Sequence, residues 1–174
     1  MFYAGIGSRK TPPDILLVMR VFARGMARKG WILRSGGADG ADTAFHRGAG
    51  CDAIVYLPWR GFAKAGECGV VCPDLGDNWI AALRLASSVH PAWKLLSNGA
   101  RALHARNCFQ VLGTDLETPV SFVLCWTPGG EETGADCTKE TGGTATAIRL
   151  ADRHRIPIFN LQRPCALRRL SLWF

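Results

Sequence analysis

Short apolar runs alternate with amphipathic segments along most of this 174-residue chain. Glycine-rich turns follow several of the runs, and the segments after them place apolar residues every three or four positions, as helices do. Strands that alternate with helices are typical of a parallel sheet covered by helices. The sequence therefore predicts an α/β fold, a Rossmann-like three-layer sandwich with a mostly parallel sheet. The predicted strands are 2–6, 31–35, 53–57, 120–126 and 156–160.

The first predicted helix is strongly amphipathic. Thr11 is predicted to be its N-cap, and the prolines that follow suit a first helical turn. Its apolar positions recur at helical spacing, whereas Arg20, Arg24 and Arg28 share the opposite face. Further helices are predicted to begin after Gly40 and to cover 79–86, 100–112 and 144–154.

One domain spanning 1–174 is the expectation from length and composition. With 48% hydrophobic and 20% charged residues, the chain is able to fill one core and lacks the composition of a disordered protein. The pattern loosens at about 58–99, which is interpreted as an insertion in a crossover. Residues 127–143 form a glycine-rich stretch, and loops of this length are commonly lids or binding loops.

Charge favours an anionic partner. The chain carries a formal net charge of +7, with 21 Lys and Arg against 14 Asp and Glu. The basic residues are concentrated near both ends of the chain, while residues 114–140 are acidic. Net charge bears on association and not on fold.

Cysteine usage and hydropathy exclude several classes of protein. Seven cysteines in no regular framework favour a reducing cytoplasm. Cys68 and Cys72 have no matching second pair, so no metal site is predicted. The apolar runs are far shorter than the ~20 residues of a membrane-spanning helix, so no membrane association is expected.

Three glycine-rich segments stand where predicted strands lead into helices. Glycine lets backbone amides approach an anion, and a helix N-terminus adds unpaired N–H groups with partial positive charge. Each segment alone also suits a simple tight turn. None matches the phosphate loop of ATPases or the dinucleotide fingerprint, so the sequence supports neither ATP hydrolysis nor NAD chemistry. The segments are Gly5–Arg9, Ser35–Gly40 and Gly142–Thr146.

These motifs together resemble a known family. The likeness to the DNA-processing Smf/DprA proteins lies in Gly7-Ser8-Arg9, in Ser35-Gly36-Gly37-Ala38-Asp39-Gly40-Ala41-Asp42 and in His46. The helix start at Gly142-Gly143-Thr144 resembles the wider SLOG superfamily, which joins those proteins to the lonely-guy phosphoribohydrolases. Small stand-alone members of phage and bacterial genomes, described as DprA-like or YpsA-related, are the most similar group.

The resemblance implies a Rossmann-like sheet and a phosphate-binding role for the glycine loops. Ser8 and Arg9 would contact a phosphate, the amides of Gly36, Gly37 and Ala38 would surround it, and Asp42 would order the second helix. No cofactor is implied, and a homodimer or higher oligomer is expected. The candidate ligand-binding residues are Gly7, Ser8, Arg9, Ser35, Gly36, Gly37, Ala38, Asp39, Asp42, Gly142, Gly143, Thr144 and Thr146.

Two groups of polar residues have competing interpretations. Asp42 and His46 stand four positions apart, which predicts a pair on the outer face of their helix. A second group is polar enough to contact a base or ribose, although the solvent face of a helix explains it equally well. That group is His104, Arg106, Asn107 and Gln110.

Three functions remain open at this stage. The favoured one is a protein that binds a nucleotide or nucleotide derivative, as a sensor or by sequestering it. Binding of single-stranded DNA is the alternative, because arginines and aromatic side chains track and stack on such strands. The candidate DNA contacts are Arg20, Arg24 and Arg28, Arg163, Arg168 and Arg169 in the tail, and Trp59, Phe62, Trp79 and Trp93.

The third function is hydrolysis of a nucleoside monophosphate at its N-glycosidic bond. Lonely-guy enzymes carry a catalytic glutamate after their glycine motif, whereas this chain continues from Gly143 as Thr-Ala-Thr-Ala-Ile-Arg. The sequence therefore leaves open whether the chain is an enzyme. Acids in the preceding loop are either substitutes for that glutamate or simply solvated, and they are Glu131, Glu132, Asp136 and Glu140.

Overall fold

A computed structural model describes residues 1–62 and 69–172. Its strands are β1 (Phe2–Gly7), β2 (Ile32–Ser35), β3 (Ala53–Leu57), β4 (Val70–Val71), β5 (Val123–Trp126) and β6 (Ile158–Asn160). Its α-helices are α1 (Pro13–Arg28), α2 (Ala41–Ala49), α3 (Asp77–Val89), α4 (Asn98–Leu112), α5 (Thr144–Arg153) and α6 (Ala166–Ser171). Two short 3-10 helices cover Cys72–Leu75 and Trp93–Leu95.

The six strands form one sheet in the order β4-β3-β2-β1-β5-β6, and every pairing is parallel. The chain moves outward from β1 through β2 and β3 to β4, and then returns to pair β5 with the other side of β1. The order therefore reverses between β1 and β5, where Gly7 is in register with Trp126. In open sheets of this kind, the crevice beyond the carboxyl ends at such a reversal is the usual ligand site.

Two apolar clusters, one on each face of the sheet, make this a three-layer sandwich. Helices α1, α2 and α6 cover one face, where Met19, Phe45 and Leu170 are buried. Helices α3, α4 and α5 cover the other, where Phe109 and Ile148 are buried. Both faces of β5 are covered, which explains its unbroken apolar sequence. The predicted fold class is confirmed.

Local differences from the predicted elements have local causes. Thr11 does not cap α1: its hydroxyl donates to the Ser8 carbonyl at 2.7 Å, and Pro12 occupies the cap position without a side-chain hydrogen bond. Strand β5 begins at Val123, three residues later than predicted. The sequence did not predict β4 or α6, because two and six residues are too few for a periodic pattern.

The segment interpreted as an insertion contributes to the sheet and to one helical layer. Within its described residues, β4 pairs with β3 at the sheet edge, and α3 is longer than the predicted helix at 79–86. Trp79 of α3 stacks on Phe109 of α4 in the core. Cys68, half of the candidate cysteine pair, lies outside the described residues, and Cys72 is buried.

The described residues contain neither a candidate membrane-spanning helix nor a candidate metal-binding cluster. No helix there is both long and apolar enough to cross a membrane. Likewise, the described part of the chain has no group of three or more His, Cys, Asp or Glu side chains arranged to hold a metal ion.

The contact between α1 and α2 depends on a glycine, which yields a stability prediction. A Cβ atom at Gly48 would lie 2.2 Å from the Arg20 carbonyl oxygen and 2.8 Å from the Ala23 Cβ. We expect Gly48→Ala to lower the free energy of unfolding by about 1–3 kcal/mol, because the overlap is with backbone that is unable to move alone. Urea unfolding measures the change.

Gly25→Ala in α1 is the matched control. No atom of the described residues lies within 4 Å of a Cβ atom at Gly25, so the helix preference for alanine is expected to stabilise that variant by about 0.5–1 kcal/mol. Equal effects from the two substitutions would contradict this account of the α1–α2 contact.

Candidate functional site

A cavity of about 670 Å³ lies beyond the carboxyl ends of β1 and β5, where the strand order reverses. The loop after β1, the loop between β5 and α5, and one face of α4 form its walls. Its lining residues are Ile6, Gly7, Ser8, Arg9, Lys10, Ala38, Asp42, Leu103, His104, Arg106, Asn107, Gln110, Pro128, Glu140, Thr141, Gly142, Gly143 and Thr144.

The loop from β1 to α1 brings cationic side chains to this cavity on a fixed backbone. The Ser8 side-chain oxygen accepts a hydrogen bond from the Lys10 amide at 3.0 Å. Gly40 packs against the same loop: its φ is +86°, and a Cβ there would lie 2.9 Å from the Arg9 Cα. Arg9 and Lys10 are exposed and line the cavity, so their charges are available to a ligand.

The second glycine loop is placed differently from its prediction. Of Gly36, Gly37 and Ala38, only Ala38 lines the cavity. The Gly36 amide donates to the Gln110 side-chain oxygen at 2.9 Å, with the Gln110 amide oriented to satisfy its neighbours. The Ala38 amide donates to Asp42 Oδ2 at 3.3 Å. Two of the three amides predicted to surround a phosphate thus have acceptors within the protein.

Other predicted residues of this loop also lie away from the cavity. The buried Ser35 hydroxyl donates to the Gly5 carbonyl at 2.8 Å, which ties β2 to β1. Gly37 takes a positive φ of 67°, a conformation that favours glycine. Asp39 is exposed and does not line the cavity. The loop therefore contributes structure to the site and little of its surface.

Asp42 does not pair with His46 on the surface, so that prediction is wrong. Its side chain is 5% exposed and forms an ion pair with Arg106, whose side chain is 6% exposed, at 3.1 Å. Burial raises the pKa of the Asp42 carboxyl, and Arg106, the Ala38 amide and Arg9 oppose that effect. The residue turns inward because Arg106 of α4 offers a charge that His46 is not placed to supply.

The polar residues of α4 line the cavity and are not a solvent face. His104, Arg106, Asn107 and Gln110 are all buried. Asn107 donates its side-chain N–H to the Gly143 carbonyl at 2.8 Å and accepts from the Gln110 amide at 2.9 Å. Because buried polar groups need partners, these hydrogen bonds and the one from the Gly36 amide to Gln110 fix α4 against the second and third glycine segments.

The third glycine segment forms the N-terminus of α5 at the cavity wall. Gly142, Gly143 and Thr144 line the cavity, and no side chain in the described part of the chain caps the helix at Gly143. Such a terminus presents N–H groups and partial positive charge. Thr146 was predicted to contact ligand, but it is buried away from the cavity, and its hydroxyl is hydrogen-bonded to His104 Nδ1 at 2.8 Å.

The acidic side chains of the loop before α5 lie in different environments. Glu140 lines the cavity, and a hydrogen bond from the Thr138 hydroxyl lowers the pKa of its carboxyl. Glu131 accepts from the Thr127 hydroxyl in the interior, and Glu132 pairs with Arg169 and Arg163. Among these three, Glu140 is the carboxylate placed to meet a ligand, and it is ionised near neutral pH.

The candidate DNA contacts are only partly exposed. Arg20, Arg24 and Arg28 lie on the open face of α1. Arg163 and Arg169 of the tail are engaged with Glu132. Trp59 and Phe62 pack against each other with ring centroids 5.0 Å apart, whereas Trp79 and Trp93 pack against the core. The α1 face is therefore the better candidate surface.

Sequence reasoning did not single out Lys10, Leu103 or Thr141, all of which line the cavity. Lys10 directly follows Arg9, a predicted phosphate contact, and this position in the sequence could have identified it as a further candidate. Nothing in the sequence pattern marked Leu103 or Thr141, because their positions follow from how α4 and the loop before α5 pack.

Comparison with known proteins supports the fold. No protein-family model matches the chain, and no curated protein matches it. A similar solved structure is that of DNA processing protein A from Helicobacter pylori, described as having a unique single-stranded DNA binding mode. The two superpose with a TM-score of 0.57 at 18% sequence identity. The match covers 92% of this chain but only 64% of the other, and at this identity it shows that the two share a fold.

The buried His104 predicts a dependence of stability on pH. Burial, followed by the nearby His90, lowers the pKa of His104 to about 4 from its ordinary 6.5. The folded state thus binds fewer protons than the unfolded state between these values, so stability present above pH 6.5 is lost as the pH falls toward 4. We expect His104→Gln to remove about 2 kcal/mol of that loss.

Urea unfolding of both proteins at pH 7 and pH 4.5 measures the difference. Glutamine retains a group able to bond Thr146, so the comparison isolates the proton. An equal loss of stability in the wild type and in His104→Gln would contradict this assignment.

Proposed function

We propose that this chain is a DprA-like protein that binds the phosphate of a nucleotide or nucleotide derivative in the cavity at the β1–β5 crevice. The observation that carries the proposal is the convergence of two cationic side chains and a helix N-terminus on this cavity. Arg9 and Lys10 come from the loop after β1, and the uncapped start of α5 lies at Gly143. A phosphate is the ligand group for which such an arrangement is suited.

The size and charge of the cavity agree with a mononucleotide. Its volume of about 670 Å³ lies within the roughly 300–1,000 Å³ typical of small-molecule sites. Among the described residues, the charged ones that line the cavity are Arg9, Lys10 and Arg106 against Asp42 and Glu140, which is an excess of positive charge. A protein of this kind would act by sensing or sequestering its ligand.

The decisive measurement is thermal unfolding with AMP, GMP, CMP and UMP. A ligand at one hundred times its dissociation constant adds about 2.7 kcal/mol of stability, which raises Tm by roughly 5–10 °C in a chain of this size. Arg9→Ala is expected to weaken that binding about 10- to 100-fold, because a charge-assisted hydrogen bond is lost. Titration calorimetry gives the dissociation constants.

Arg24→Ala is the matched control, since it removes an exposed arginine of α1 and leaves the cavity intact. Analysis of the incubated samples for free base tests hydrolysis at the same time. An unchanged Tm with all four monophosphates would refute the proposal.

Binding of single-stranded DNA is the second candidate function, and two observations favour it. The similar DNA processing protein A is described by its single-stranded DNA binding mode. On this chain, Arg20, Arg24 and Arg28 form an exposed row along α1, at intervals of about 6 Å along the helix axis. Such a row provides positive charges that could bind successive phosphates of a single strand.

Salt dependence separates the two candidates. If the row binds DNA, the triple variant Arg20→Gln, Arg24→Gln, Arg28→Gln is expected to reduce the slope of log K against log salt by about 2, because three phosphate contacts are lost. Fluorescence anisotropy with a labelled oligothymidine measures the slope. The same slope in both proteins would exclude the arginine row as the DNA-binding surface. As a control, the triple variant should bind AMP with the same affinity as the wild type.

A further inference from the structure

Arg106 occupies the space that a side chain at position 36 would need. A Cβ atom built on Gly36 would lie 0.9 Å from Arg106 Nη1 and 2.2 Å from its Cζ. The guanidinium thus rests directly on the backbone of the second glycine loop. Glycine at position 36 is required for this contact, which accounts for a residue that does not itself line the cavity.

Three groups fix the orientation of this guanidinium. Asp42 Oδ2 accepts from Nη1 at 3.1 Å, and the Gln110 side-chain oxygen lies 3.2 Å from the same atom. The Phe62 ring centre is 6.0 Å from Cζ, within reach of a cation–π contact. The side chain is 6% exposed, lines the cavity, and its Nε has no hydrogen-bond partner in the described structure.

A purely structural ion pair explains this arrangement poorly. Burying two charges costs several kcal/mol, and apolar residues of similar volume often stabilise a protein as well or better. An unpartnered donor on a buried guanidinium adds to that cost. A charged group that is costly to bury and lies at the wall of a cavity is therefore a candidate for ligand binding.

The charges around Asp42 indicate what kind of ligand group Arg106 binds. Arg9 and Arg106 both favour the ionised form of the Asp42 carboxylate, so the positive charges of both residues act on it. Among the described lining residues, the cations Arg9, Lys10 and Arg106 outnumber the carboxylates Asp42 and Glu140. The cavity therefore retains a positive charge that an incoming oxyanion would balance.

We propose that Arg106 forms an oxyanion subsite on the floor of the cavity, where its guanidinium binds an oxygen of the ligand's phosphate. Gly36 and Asp42 are positioning residues, because one provides the space for the guanidinium and the other orients it. This inference rests on the proposed nucleotide-binding function and identifies a buried cationic group of that site.

The test compares nucleotides with nucleosides in the full chain. We expect Arg106→Gln to weaken binding of AMP, GMP, CMP or UMP at least about tenfold, the loss of one charge-assisted contact, while binding of the corresponding nucleoside changes little. Gly36→Ala is expected to cause the same selective loss of nucleotide binding, because the added methyl group displaces the Arg106 guanidinium. Gly99→Ala, on the same helix as Arg106, is the control, because no described atom lies within 4 Å of a Cβ at that position.

A second variant tests the same contact in case Arg106→Gln alone does not fold. Arg106→Gln alone leaves Asp42 buried without its partner, so the double variant Asp42→Asn, Arg106→Gln removes both charges together. It is expected to unfold cooperatively and to show the same selective loss of nucleotide binding. Equal losses for nucleotide and nucleoside would indicate a general distortion of the cavity and would overturn the subsite.

The outcomes separate this inference from the function on which it rests. If the wild type binds a monophosphate and Arg9→Ala weakens it, but the folded double variant binds as the wild type does, the subsite is wrong and the proposed function stands. If the wild type binds none of the four monophosphates, both are overturned.

Discussion

The buried ion pair between Asp42 and Arg106 joins the two helical layers across the carboxyl edge of the sheet. Asp42 belongs to α2 on one face, and Arg106 belongs to α4 on the other. Because each charge is costly to bury alone, loss of either side chain on its own would destabilise the packing of both helices. The pair and its hydrogen bonds to the second glycine loop therefore fix the floor on which the whole cavity is built.

Local patterns in the sequence predicted the elements that are long enough to show a period. The apolar face of α1 and the buried strand β5 follow directly from their residues. Tertiary contacts decided the rest. Strand β4 is two residues long and exists because β3 offers it an edge, and α6 exists because Leu170 fills the core beneath it. Neither contact leaves a periodic signal.

The candidate site was predictable where the backbone alone defines it. Glycine turns after β1 and before α5 placed Gly7 and Gly142 at one edge of the sheet, and both line the cavity. The second loop was not predictable in this way, because the acceptor for its Gly36 amide, Gln110, lies far along the chain. For the same reason Asp42 was assigned a neighbour on its own helix instead of Arg106, which is 64 positions away.

The long segment between β5 and α5 is tethered at several points along its length. Glu132 is held by the Asn160 amide and by two arginines, the Gly134 amide donates to Asp152, and the Gly143 carbonyl accepts from Asn107. Opening this segment like a flap would break all of these bonds at once. The segment therefore acts as a fixed part of the cavity wall, and the exposed cations Arg9 and Lys10 are the groups whose field would attract an anionic ligand.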